Sequence, residues 1–152
     1  MTQEEYESLK ELLLKDLCAR LPYGVIGCCE IDASYDTPFG IKPQIHKFNA
    51  VVYGIKEDSL FVTPLIEDQD VQEFANEEVS DGVDILDFKP YLRPMSSMTE
   101  EEKKECLKIT FVEATDWLNV HHFDYRGLIP MGLALEAPEG MYENIAIIPK
   151  NY

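Results

Sequence analysis

QIHKFNAVVYGIKEDSLFVTPLI (Gln44–Ile66) is the stretch on which the fold turns. Two apolar, β-branched runs, QIHKFNAVVYGI and SLFVTPLI, flank a polar turn around Glu57 and Asp58, a pattern that predicts a β-hairpin. Pro64, near the end of the second run, marks an edge position or the strand's terminus. Upstream, VIGCCEIDA (Val25–Ala33) is short and mostly apolar and reads as a further strand, followed by a loop at SYDTPFG (Ser34–Gly40). Downstream, Glu67–Gly82 has only Val71, Phe74, Ala75 and Val79 as apolar points, spaced for a short helix pressed on the sheet. VDILDF (Val83–Phe88) alternates well enough for a last strand.

Helices are predicted at the two ends. Thr2 and Glu5 form a capping box, and Tyr6, Leu9, Leu13 and Leu17 recur as one apolar stripe. That helix must stop near Arg20 or Leu21, because Pro22 and Gly24 follow. Pro90 and Pro94 predict an extended connection over Lys89–Met98. A second capping box, Thr99 with Glu102, opens a helical segment running toward His121, with Leu107, Phe111, Ala114 and Leu118 on its apolar face. Thr110–Val112 are poor helix formers and permit a break there. Beyond Asp124, which can cap a short turn, Gly127, Pro130 and Gly132 keep the chain irregular, and NIAII (144–148) offers one more small strand. The expected fold is α+β: the N-terminal helix and the C-terminal helices pack on one face of an antiparallel sheet of three to five strands, in one domain spanning 1–152. The other sheet face is expected to be partly open.

Composition narrows the function classes. With 45% hydrophobic and 28% charged residues the chain has the balance of a globular protein. No apolar run approaches the roughly 20 residues that span a bilayer, so no membrane role is expected. MTQEEYESLK has neither a basic nor an apolar signal region, and the expected location is cytoplasmic. The four cysteines contain no CxxC and fit buried free thiols. With only three histidines there is no metal-ligand spacing, and neither metal nor cofactor is expected.

Charge is the most unusual property. The net charge is −16, and from Glu57 to Asp87 eleven acids occur without one Lys or Arg. Such a surface repels phosphate and disfavours direct nucleic-acid binding, while it can attract a basic protein. It also serves solubility alone. The candidate partner-binding residues are Glu57, Asp58, Glu67, Asp68, Asp70, Glu73, Glu77 and Glu78.

The candidate chemistry lies in WLNVHHFDYRG (Trp117–Gly127), where His121, His122, Asp124 and Arg126 bring imidazoles, a carboxylate and a cation together. In the catalytic reading one histidine acts as acid–base and Asp124 orients it. In the structural reading the histidines finish a helix, Asp124 caps the next turn and Arg126 pairs with a carboxylate. Adjacent histidines point about 100° apart on a helix, which argues against a shared metal. His46 sits in a strand pattern without an evident partner. GxSxG, GxGxxG and GxxxxGK[ST] are all absent.

LLLKDLCARLPYGV (Leu12–Val25), KPYLRPMSSMTEEEKKE (Lys89–Glu105) and DWLNVHHFDYRGLIPMGLALEAPEGMY (Asp116–Tyr142) resemble a group of small uncharacterised proteins of gut Bacteroides-type bacteria and their phages. The resemblance covers about half of the chain. It implies a bacterial cytoplasm and a host, phage or mobile-element gene, and carries over no activity, cofactor or catalytic residue. The leading functional expectation is a non-catalytic acidic module that binds a basic protein, in a phage setting a DNA-mimicking inhibitor. The alternatives are a small-molecule binder or enzyme using His121–Arg126, and a structural or assembly protein that associates through an uncovered sheet face or the edge near Pro64.

Overall fold

The computed structural model of the chain describes residues 1–32 and 34–142. Helix α1 (Gln3–Arg20) begins with the expected box: the Glu5 N–H donates to the Thr2 hydroxyl and the Thr2 N–H to the Glu5 carboxylate. A 3-10 turn at Leu21–Tyr23 ends in Gly24 at φ 72°, a left-handed conformation that suits glycine and turns the chain into β1 (Ile26–Asp32). There follow β2 (Tyr35–Thr37), β3 (Gly40–Lys42), β4 (Ile45–Lys56), β5 (Ser59–Pro64), α2 (Gln69–Glu78), β6 (Val83–Asp84), β7 (Phe88–Leu92), α3 (Glu100–Leu107), α4 (Phe111–Val120) and β8 (Leu135–Glu136). Among the described residues no helix is long and apolar enough to cross a membrane.

The chain is α+β, and the first strand of the hairpin, β4, lies at the centre of its sheet beside β1. The main sheet has the order β6-β5-β4-β1-β7-β8, antiparallel except for the β7–β8 pair. Among the described residues six strands thus replace the expected three to five. β4 and β5 turn tightly at Glu57, whose φ of 57° is rare for a residue with a side chain. Pro64 closes β5, which pairs with β6 only at Ser59 and Leu60, so the strand's end lies on an open edge.

Three expectations need correction. Val83–Phe88 is not one strand: the Asp84 carboxylate accepts from the Leu86 N–H, a 3-10 turn forms at Ile85–Asp87, and the chain leaves the β5 edge. It re-enters beside β1 as β7, so the first half of the predicted Lys89–Met98 connection is a strand. Pro90 is tolerated there because β8 covers only Tyr91 and Leu92. Second, the loop Ser34–Gly40 contains a small hairpin, β2–β3, with Phe39 fully exposed at its tip. Third, the apolar face predicted across Leu107 and Phe111 is not built. Thr110 starts a new helix by accepting from the Glu113 N–H, the helical phase resets, and Leu107 and Phe111 stand 86% and 92% exposed. The predicted strand at NIAII lies outside the described residues.

Because opposed residues in register share a face, the sheet's two sides read directly from the pairing. Cys29, Ala50, Val52, Leu60, Val62 and Phe88 form the core with Leu13 and Leu17 of α1 and Val79 after α2. On the reverse side Ile26 and Val51 gather, among the described residues, Leu65, Tyr91, Met141 and Tyr142, and no other described residue covers the rest of that face. Cys28 and Cys29 therefore face opposite ways. Cys18 is exposed and Cys106 half-buried, so only two of the four thiols are interior.

One close approach depends on glycine. A Cβ on Gly27 would sit 2.2 Å from Phe88 Cζ and 2.6 Å from its two Cε atoms, and the Phe88 ring is fully buried. Gly27→Ala is therefore expected to destabilise the protein by about 1–3 kcal/mol, read as a lower urea midpoint with an unchanged slope. A wild-type midpoint would show that the ring moves freely.

Candidate functional site

Helix α2 carries the acidic segment to the surface. Asp68 starts it by accepting from the Asp70 and Val71 N–H groups at 3.0 and 3.1 Å. Ala75 and Val79 turn inward. Asp70, Glu73 and Glu77 then fall within a narrow outer sector, since steps of three and four residues return to one side of a helix. Of the eleven acids between Glu57 and Asp87, nine are exposed and only Asp58 and Glu78 are half-buried. Those two are paired: Asp58 with Lys10 of α1, and Glu78 with His46 Nδ1 at 3.0 Å. The Lys10 ammonium holds the Asp58 carboxyl below the usual carboxylate range. Among the described residues no Lys or Arg lies within 4.0 Å of Glu57, Glu67, Asp68, Asp70, Glu73 or Glu77. The acids are not neutralised locally.

Two apolar side chains stand beside this row. Phe74 is 53% exposed and Val71 50%. By helical geometry Phe74 is the immediate neighbour of Asp70 and Glu77. Its ring lies against His46, centroids 5.5 Å apart. The Gln44 amide reaches His46 Nε2 at 2.8 Å, so one imidazole links β4, the Gln44 side chain and α2. Nothing in the local sequence pointed to this, because Glu78 is 32 residues away.

The His121–Arg126 run has a different setting. His121 ends α4, with Nδ1 donating to the Trp117 carbonyl at 2.9 Å and its ring stacked on Trp117. His122 follows at φ 62° and is 5% exposed, its ring stacked 3.5 Å from that of Tyr142. Burial pushes its pKa down to about 3, and the neighbouring Arg20, His121 and Arg93 push the same way. It is a neutral imidazole across the physiological range. Asp124 accepts from the Leu128 and Ile129 N–H groups at 2.8 and 3.0 Å, one on each oxygen. Among the described residues neither imidazole hydrogen-bonds to Asp124. The four side chains are close in sequence, but His121 Nδ1 and Asp124 serve the backbone, His122 is buried, and half-exposed Arg126 turns to a different carboxylate.

Arg126 meets a residue that sequence reading missed. Asp16 and Arg20 of α1 are completely buried, Arg20 Nε at 2.8 Å and Nη2 at 3.2 Å from the carboxylate. Arg20 Nη2 also donates to the Phe123 carbonyl at 2.6 Å. Arg126 Nε lies 3.2 Å from Asp16, and both guanidiniums sit 5.1 Å from the centroid of the Tyr125 ring. One carboxylate thus fastens α1 to the turn after α4. A signal was present: Asp16 and Arg20 keep the spacing of the leucine row at 13 and 17, which puts charge on the buried stripe. Arg93 makes a parallel tie, bidentate to Glu102 at 2.7 and 2.8 Å and stacked 4.1 Å over Phe123. That pairing, more than the Thr99 N–H, pushes the Glu102 carboxyl down to about 2.

The polar residues divide into an interior fastening and an outward acidic helix. No family model, no curated protein and no solved structure matches the chain.

Proposed function

We propose that the chain is a non-catalytic binding module whose outer α2 surface docks on a basic protein. One observation carries this reading: Asp70, Glu73 and Glu77 form an exposed, unpaired row beside Phe74 and Val71. Phe74 packs on His46 and still leaves half of its surface to solvent between the acids, where it can serve as an anchor. Apolar anchors rimmed by like charge are what a docking helix uses, the anchors for affinity and the charges for steering and register. With a net charge of −16, the complementary partner is basic, and a protein that normally holds nucleic acid has the required surface. If the gene belongs to a phage or mobile element, the module acts as an inhibitor that occupies a host DNA-binding surface.

The test is affinity capture at low ionic strength, followed by binding measurements on the recovered basic protein. Affinity is expected to fall steeply as salt rises, because exposed charge pairs are screened within about 8 Å at physiological ionic strength. Reversing four acids together (Glu67→Lys, Asp70→Lys, Glu73→Lys, Glu77→Lys) should weaken binding by at least tenfold, and Phe74→Ala by a similar factor. Recovery of no basic protein, or unchanged affinity in the four-fold variant, would refute the reading.

A further inference from the structure

Among the described residues, the half of the sheet's reverse face that none of them covers forms a trough of about 440 Å³, on the side away from α1. Register explains what lines it. Lys47 of β4 is directly opposite Glu30 of β1, and Cys28 of β1 is opposite Lys89 of β7. Asp32 lies two residues beyond Glu30 on the same face, and Asp87 enters from the turn before β7. Glu30 and Asp32 thus lie on the middle strand, with Lys47 on the β4 flank and both Asp87 and Lys89 on the β7 flank. Cys28, 6% exposed, is part of the floor.

These charges are arranged but not satisfied by one another. Among the described residues neither Lys47 nor Lys89 is within 4.0 Å of a carboxylate, although Lys47 faces Glu30 in register. Asp32 is fixed in place, accepting from both the N–H and the hydroxyl of Ser34. Asp87 is pushed above the usual carboxylate range by burial first and then by Asp84, Glu30 and Asp32, so the lysines leave the negative field standing. A cavity of this size, with an apolar wall at Ile45 and separated opposite charges, has the make-up of a small-ligand site.

We propose that this trough binds a free zwitterion of the amino-acid class, its ammonium held among Glu30, Asp32 and Asp87 and its carboxylate on Lys89. Lys89 is assigned the anionic end because its direct cross-strand neighbour is Cys28, whereas Lys47 faces the Glu30 carboxylate. The aliphatic part lies over Cys28 and Ile45. The site is independent of the acidic helix, which packs beside β5.

Thermal melts of the whole chain with each of the protein amino acids test it, with butylamine and butyrate as half-molecule controls. At least one amino acid should raise Tm, by about 5–10 °C at roughly a hundred times its Kd, while neither control does so at the same concentration. Lys89→Ala and Asp87→Asn should each abolish that rise; without ligand both should remain folded, Asp87→Asn melting no lower than wild type because it relieves the repulsion from Asp84, Glu30 and Asp32. The charge-reversed α2 variant should keep the rise, which separates this site from the protein-binding surface. No shift with any amino acid, an equal shift with butylamine, or a shift that survives both trough variants would overturn the proposal.

Discussion

Asp16→Ala should cost about 3–5 kcal/mol, a large part of the roughly 5–15 kcal/mol available to a domain of this kind. In Tm this is a fall of roughly 10 °C. Asp16 and Arg20 are both completely buried, and two guanidiniums converge on the one carboxylate. Removing it leaves Arg20 charged in the interior with only the Phe123 carbonyl as a partner at 2.6 Å, since an arginine does not deprotonate. Arg126 retains 24% exposure and can turn to water. Most of the loss is therefore the stranding of Arg20. The pair as a whole contributes far less, because its mutual attraction is offset by desolvation. Asp16→Leu combined with Arg20→Met should accordingly recover a large part of what Asp16→Ala loses. Denaturant midpoints for the three proteins check this. A single variant within about 1 kcal/mol of wild type, or a double variant worse than the single, would contradict the account.

The second large effect is acid lability centred on His122. Its folded pKa of about 3 lies below the ordinary 6.5, so between those values the unfolded chain takes up a proton that the folded protein refuses. Stability is therefore complete above about pH 6.5 and falls as pH drops toward 3, by about 1.4 kcal/mol per unit. From pH 6.5 to about pH 5 the loss is about 2 kcal/mol, a Tm decrease of roughly 4–8 °C. Glu102 adds to it only lower down: its depressed pKa of about 2 gives stability that is present above 4.5 and lost as pH falls through 2. Relief of self-repulsion as the charge of −16 shrinks acts in the opposite sense. His122→Asn separates these effects. Asn tolerates the left-handed backbone at φ 62°, does not titrate, and leaves the charge relief almost intact. The variant should start less stable, having lost the stack on Tyr142, and should lack the decline between pH 6.5 and about pH 5. An unchanged decline would assign it elsewhere.

The fold was legible where local signals and burial agree. The capping boxes at Thr2 and Thr99, the leucine stripe of α1 and the central hairpin all follow from short-range chemistry. The strand order was not legible, because β7 reaches β1 through a turn set by the Asp84 side chain and no periodicity encodes that. Leu107 and Phe111 misled because apolar spacing was carried across Thr110, where a new cap resets the phase. The same contrast holds for the candidate sites. The exposed acidic run was visible as composition, and α2 placed its row as its spacing requires. In HHFDYR, Asp124 capping the next turn and Arg126 seeking a carboxylate were both read from sequence. The carboxylate itself, Asp16, lies more than a hundred residues away, and only tertiary packing brings it near. The trough was hidden for a related reason: Glu30, Lys47 and Lys89 become neighbours only through strand register.

Central to the proposed function is that His122 and Arg126, after α4, fasten the interior, with recognition left to the outer surfaces. NMR titration of the His122 ring tests this most directly, since the chain has only three histidines to resolve. The expected result is a His122 ring signal that stays at its neutral-imidazole position from about pH 8 down to about pH 4 for as long as the protein is folded. A His122 that titrates reversibly near neutrality in the folded protein would be an accessible acid–base group, and the division between fastening and recognition drawn here would fail.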